Sequence, residues 1–195
     1  MRSAVIERET KETKVYVSLE LDGSGQYRNE TGVGFFDHML DVCLKQTGFD
    51  VVIRAEGDLK VDAHHTVEDV GIAFGKALSK ALGDCRGIVR YGFFVLPMDE
   101  ALVLTSMDIS GRGYLAYDVP LMAQRVGDFD TELAREFFEA VARCANITLH
   151  IKELAGVNTH HILEAVFKSF GRSLSMACAI DPAKQDQIPS TKGVL

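Results

Sequence analysis

Val15, Val17, Leu19 and Leu21 alternate with polar residues, the period-two signature of a half-buried strand, and Asp22-Gly23 then turns the chain. The spacing changes at Met39, Leu40, Cys43 and Leu44, which fall on one face of a 3.6-residue helix. A β-branched stretch, FDVVIRA at 49–55, predicts the next strand, and a helix over roughly 64–82 follows it. The second half repeats this order. Phe93 to Leu96, a turn at Pro97-Met98-Asp99-Glu100 and Ala101 to Ile109 predict a hairpin. Leu133, Phe137, Phe138, Val141 and Cys144 mark a helix, NITLHIK at 146–152 a strand, and 160–179 a last helix.

The recurrence is also one of residues. DAHHTVEDVGIAFGKAL (62–78) and NTHHILEAVFKSFGRSL (158–174) align without gaps at an offset of 96 residues, about half the chain. FFDHML around Asp37 and DFDTEL around Asp130 align as well, which sets Thr131 opposite His38. The pattern predicts an α+β fold of two duplicated half-domains, each a mostly antiparallel sheet with two helices on one face. The first half-domain would cover 1–92. The second would cover 93–195 and carry a C-terminal tail. No Pro-, Gly- or Ser-rich linker separates them, so one shared core is expected.

Composition narrows the function. Apolar residues are 47% of the chain, as in an ordinary globular protein. A net charge of -7 without a basic block argues against nucleic acid as a partner. No apolar run is long enough to cross a bilayer, and the first residues lack an apolar signal core. Cys43, Cys85, Cys144 and Cys178 are far apart, read as structural thiols, and point to the cytoplasm.

The chemistry lies in the histidines. His64-His65-x-x-Glu68 and His160-His161-x-x-Glu164 are two copies of one motif, with His38 and His150 upstream of one copy each. On a helix, residues i and i+4 share a face, so His64 and Glu68 can bind one ion. Adjacent histidines cannot easily point at the same ion from a regular helix. The economical reading is two divalent ions, each taking one histidine from each pair. Imidazole and carboxylate without thiolate suit Mn, Fe, Ni or Zn. The two halves need not meet within one chain, in which case the metal site would lie at a subunit boundary. The tail Pro189-Ser190-Thr191-Lys192-Gly193, with Arg112 between two glycines and Arg90 in VRYG, suits a phosphorylated ligand.

With FFDHML, DAHHTVED, GRGYL, TLHI, HHILEAVFKSFGRSL and PSTKGVL in that order, the chain resembles the imidazoleglycerol-phosphate dehydratases of histidine biosynthesis across its whole length. The resemblance implies manganese and twenty-four-subunit shells of duplicated half-domains, with the metals at subunit contacts. It implies His38, His64, His65, Glu68, His150, His160, His161 and Glu164 as metal ligands. It implies Arg90, Arg112, Ser190, Thr191 and Lys192 as contacts to a small phosphorylated imidazole. Glu12, in TKET, would be offered to a neighbouring subunit's substrate, and Glu68, Glu164 or Glu12 would move protons. The reaction would remove water from imidazoleglycerol phosphate, with ring electrons expelling the hydroxyl. Two other classes fit the same residues: a metal-dependent phosphohydrolase, which would release inorganic phosphate, and a metal-binding shell protein without turnover.

Overall fold

The computed structural model describes residues 1–195. The first half runs β1 (Ser3–Glu9), β2 (Thr13–Glu20), β3 (Tyr27–Glu30), α1 (Gly34–Leu44), β4 (Asp50–Gly57) and α2 (His64–Leu82). The second runs β5 (Tyr91–Met98), β6 (Ala101–Asp108), β7 (Tyr114–Asp118), β8 (Arg125–Val126), β9 (Phe129–Asp130), α3 (Leu133–Ala145), β10 (Thr148–Ala155) and α4 (Thr159–Cys178). The sheets have the orders β1-β2-β4-β3 and β5-β6-β10-β7, the same topology twice, with β8-β9 as a small inserted hairpin.

Each sheet is antiparallel except at one edge. β3 pairs with β4 in parallel, and β7 with β10. A parallel pair needs a crossover, and α1 and α3 supply it, as helices usually do. β3 and β7 are short edge strands without a clean apolar alternation (YRNE and YLAYD), which is why the hydrophobic pattern alone passes over them. Pro97 lies within β5, so the hairpin turn is Asp99-Glu100 rather than the four residues expected. β5 is an edge strand, where proline removes no ladder hydrogen bond.

The four helices are sandwiched between the two sheets. α2 lies on β1 and β2, and α4 on β5 and β6; across the middle, α2 packs against α3 and α1 against α4. One core of 47 buried residues runs through both halves. Phe36, Phe137, Phe138, Phe167 and Phe170 carry aromatic packing from helix to helix, with Phe138 and Phe167 ring centroids 4.8 Å apart. All four cysteines are free, and burial pushes the Cys43 and Cys178 thiols up to about 12, so neither is reactive at neutral pH.

Candidate active site

Both motifs open their helices in the same way. Asn158 caps α4, its side-chain oxygen accepting from the backbone N–H of His160 (2.9 Å) and His161 (3.3 Å). Asp62, two residues before His64, accepts from the His64 N–H at 2.8 Å. Short polar side chains satisfy the orphan donors of a helix start, and here they fix the first turn that carries each histidine pair.

From that turn one cluster closes. Nε2 of His38 on α1 is 3.5 Å from Glu164 Oε2, and Nε2 of His160 is 3.3 Å from the same oxygen. The three donor atoms lie within 4.8 Å of one another. Ligand atoms on one ion at about 2.1 Å stand at most about 4.2 Å apart, so this trio fits a divalent cation after a small side-chain adjustment. Glu164 is buried, which by itself pushes its carboxyl up, but the Lys168 ammonium at 2.5 Å and His38 outweigh this and hold it below the usual carboxylate value. It is therefore an anion at neutral pH, as a ligand must be.

The second histidine of each pair makes a different contact. His161 Nδ1 is 2.8 Å from Glu100 Oε2, and His65 Nδ1 is 3.0 Å from Asp58 Oδ2. These hydrogen bonds raise both imidazole pKa values. Glu100, accepting from His161 and from the Asn158 N–H, is held at about 2. Glu12 closes the β1-β2 turn with its carboxylate 4.0 Å from His65 Nε2. Glu68 turns towards Arg143 at 3.5 Å, so the α2 motif has no closed trio of its own.

The helix register shows which residue answers His38 in the other half. Gly171 of α4 lies against the Cys43 carbonyl and Gly75 of α2 against the Val141 carbonyl. Val141 lies 98 residues after Cys43, and the same step carries His38 to Glu136, not to Thr131 as the FFDH/DFDT alignment suggested. The loops before the two helices differ in length, which an ungapped alignment of that motif cannot see. Sequence reasoning missed Asp58, Glu100 and Glu136; the repeat could have yielded the last one had the halves been aligned backwards from β4 (Asp50–Gly57) and β10 (Thr148–Ala155).

His150 falls elsewhere. Leu149 and Ile151 point into the core, so His150 projects from the outer face of the second sheet, its ring 5.8 Å from Tyr114. Within one chain the structure brings it to none of the other five histidines.

The tail residues do meet. Arg90, Ser110, Gly111, Arg112, Ser190, Thr191 and Lys192 line a cavity of about 940 Å³. Arg90 is largely engaged: Nε and Nη2 donate to Asp108 (2.7 and 3.2 Å) and Nη1 to the Pro189 carbonyl (2.7 Å). It anchors the tail, while the exposed Arg112 and Lys192 are the cations free to meet an anion.

Cluster and cavity lie at opposite ends of α4. Glu164 is in its first turns, whereas Arg90 N–H donates to Ala177 O at its far end. Thirteen residues of helix separate them, roughly 20 Å at 1.5 Å per residue.

Fold and site together define an enzyme of the duplicated α+β type, with an imidazole–carboxylate cluster at one end of its last helix and a cationic cavity at the other. The family model for imidazoleglycerol-phosphate dehydratase matches residues 31–174. Proteins of that name from Dinoroseobacter shibae and Roseobacter denitrificans are 57% and 58% identical over the full length of both chains. The crystal structure of the Staphylococcus aureus dehydratase superposes with a TM-score of 0.83 at 39% identity, covering 91% of this chain and all of the other. That from Pyrococcus furiosus gives 0.84 at 38% identity, covering 97% and 100%. The chain belongs to the imidazoleglycerol-phosphate dehydratase family, whose members are hydro-lyases of histidine biosynthesis.

Proposed function

We propose that the chain dehydrates imidazoleglycerol phosphate to imidazoleacetol phosphate with two divalent cations, manganese by preference, in sites assembled from more than one subunit. The observation that carries the assembly is the separation along α4. Ring and phosphate of the substrate are joined by a three-carbon chain, which spans about 5 Å at ordinary bond lengths. A ring at the histidine cluster and a phosphate at the tail cavity of the same chain would be roughly 20 Å apart. The cluster of one subunit must therefore meet the cavity of another. The outer face of the second sheet, where Tyr91, Phe93, Val95 and Tyr114 are exposed, supports contact between copies. The twenty-four-subunit shell is the assembly we expect, and His150, on that same face, would reach a cation only across it.

His38, His160 and Glu164 would hold one cation. His64, Glu68 and Glu136, the equivalent positions, would hold the other once Glu68 leaves Arg143, with His65 and His161 completing the spheres. Held by these residues, the cations would supply Lewis acidity to the substrate's imidazole ring, which would ease loss of the hydroxyl. Arg112, Lys192, Ser190 and Thr191 bind the phosphate and Arg90 holds the tail in place, so remote binding free energy orients the reacting carbons. Of the candidate proton carriers, Glu164 is tied to Lys168 and Glu68 to Arg143. Glu12 is exposed and faces only the open nitrogen of His65, which makes it the best placed to take the proton from carbon. The free cysteines support a reducing, cytoplasmic setting.

The test is turnover of imidazoleglycerol phosphate alongside elemental analysis of the purified protein. Enol-forming product with stoichiometric metal and no inorganic phosphate is the expected result. Release of phosphate would favour the phosphohydrolase, and metal without turnover the shell protein.

A further inference from the structure

Two carboxylates outside the proposed ligand set stand in the same relation to the two motifs. Asp58 Oδ2 is 3.0 Å and Oδ1 3.2 Å from His65 Nδ1; Glu100 Oε2 is 2.8 Å from His161 Nδ1. An ionised carboxylate only accepts hydrogen bonds, so in both pairs Nδ1 must carry the proton. Nε2 of the neutral ring is then the nitrogen with a free lone pair. On the Nε2 side each ring meets a further acid, Glu12 at 4.0 Å from His65 and Asp99 at 3.8 Å from His161, a setting that attracts a cation.

The relation is repeated although the residues are not equivalent. The paired β10 and β4 differ by 98 residues, which sets Gly156 opposite Asp58. A Cβ at Gly156 would lie 2.6 Å from Ile162 Cγ1, so the second half has no room for an acid there. β6 and β2 differ by 88 residues, which sets Glu100 opposite Glu12. Each half thus reaches its second histidine from a different turn, β4-α2 in one and β5-β6 in the other. Inheritance of a single motif through the duplication does not account for this; a shared demand on the ring does.

Building on the metal reading above, we infer that Asp58 and Glu100 are positioning residues that fix His65 and His161 as Nδ1–H tautomers and aim Nε2 at the cation. Hydrogen-bonded partners of this kind raise ligand basicity, and their removal weakens metal binding about 10–100-fold. Asp58 is the cleaner test, because Glu100 also accepts from the Asn158 and Val157 N–H groups and so supports the α4 cap.

The experiment uses the full-length protein stripped of metal, with nitrogen-resolved NMR of the histidine rings and titration of Mn²⁺ against a fluorescent chelator. Asp58→Ala should move the His65 ring towards a tautomer mixture and weaken Mn²⁺ binding about 10–100-fold, with the thermal midpoint of the metal-free protein unchanged. Asp58→Asn, whose amide oxygen still accepts from Nδ1–H, should recover most of the affinity. Wild-type Mn²⁺ affinity and an unchanged His65 signal in Asp58→Ala would overturn the inference while leaving the metal site standing. A wild-type protein that binds no Mn²⁺ at all would overturn both.

Discussion

Glu164 shows how much one side chain carries. It is buried, shared between His38 and His160, and neutralised from behind by Lys168. Glu164→Ala is expected to leave the cluster unable to hold metal and to abolish turnover; elemental analysis with a rate assay checks it, and full metal content and activity would remove Glu164 from the site. Lys192→Ala, at the exposed end of the tail cavity, should raise KM about tenfold or more with a smaller change in kcat, as expected when a charged contact made equally in ground and transition states is lost. Steady-state kinetics decide it. Asp50 offers a pH test away from the site. Its carboxylate accepts from the Gln26 N–H (2.7 Å) and the Ser24 N–H (2.8 Å), and these bonds hold its pKa below the ordinary value. A depressed carboxyl stabilises the fold above its unfolded-state pKa and loses that contribution as pH falls through the folded-state pKa. Asp50→Asn should therefore lower the thermal midpoint at neutral pH, and the difference from wild type should shrink on acidification below the usual aspartate range. At this scale the contact of His160 with Glu164 was legible, because i,i+4 spacing is a property of the chain. Asp58 and Glu100 were not, since their contacts with the histidines exist only once two turns have folded against the starts of α2 and α4.

Among the elements, the helix pairs hold the two halves in register, and glycines let them do so. A Cβ at Gly75 would stand 2.8 Å from Cys144 Cβ and 2.9 Å from the Val141 carbonyl. Neither atom is the end of a flexible side chain, so Gly75→Ala must push α2 from α3. We expect a loss of about 1–3 kcal/mol despite the better helix propensity of alanine. Denaturant unfolding measures it, and a gain in stability would show that the pair has slack. The strongly periodic helices were readable to within a residue: α2 spans His64–Leu82 as expected, and α4 begins one residue before the range predicted and ends one before its end. β3 and β7 escaped because short edge strands bury little on either face. The outward aim of His150 was legible as well: Ile147, Leu149 and Ile151 alternate with Thr148, His150 and Lys152, which puts the histidine on the polar face of its strand.

At the scale of the molecule, the duplication explains both what one chain has and what it lacks. Two copies of sheet and helices enclose a single core, which leaves the histidine-bearing helix starts at one end of α4 and the tail cavity at the other. Thirteen residues of α4 separate the two, from Glu164 to Ala177. The central claim is therefore that a working site takes its cluster from one chain and its cavity from another. Co-expression of Glu164→Ala and Lys192→Ala, each inactive or strongly impaired alone, tests this most directly. If subunits share sites, mixed oligomers contain some sites with an intact cluster and an intact cavity, and activity at limiting substrate should rise well above the sum of the separate variants. Activity no greater than that sum in oligomers shown to be mixed would contradict the account.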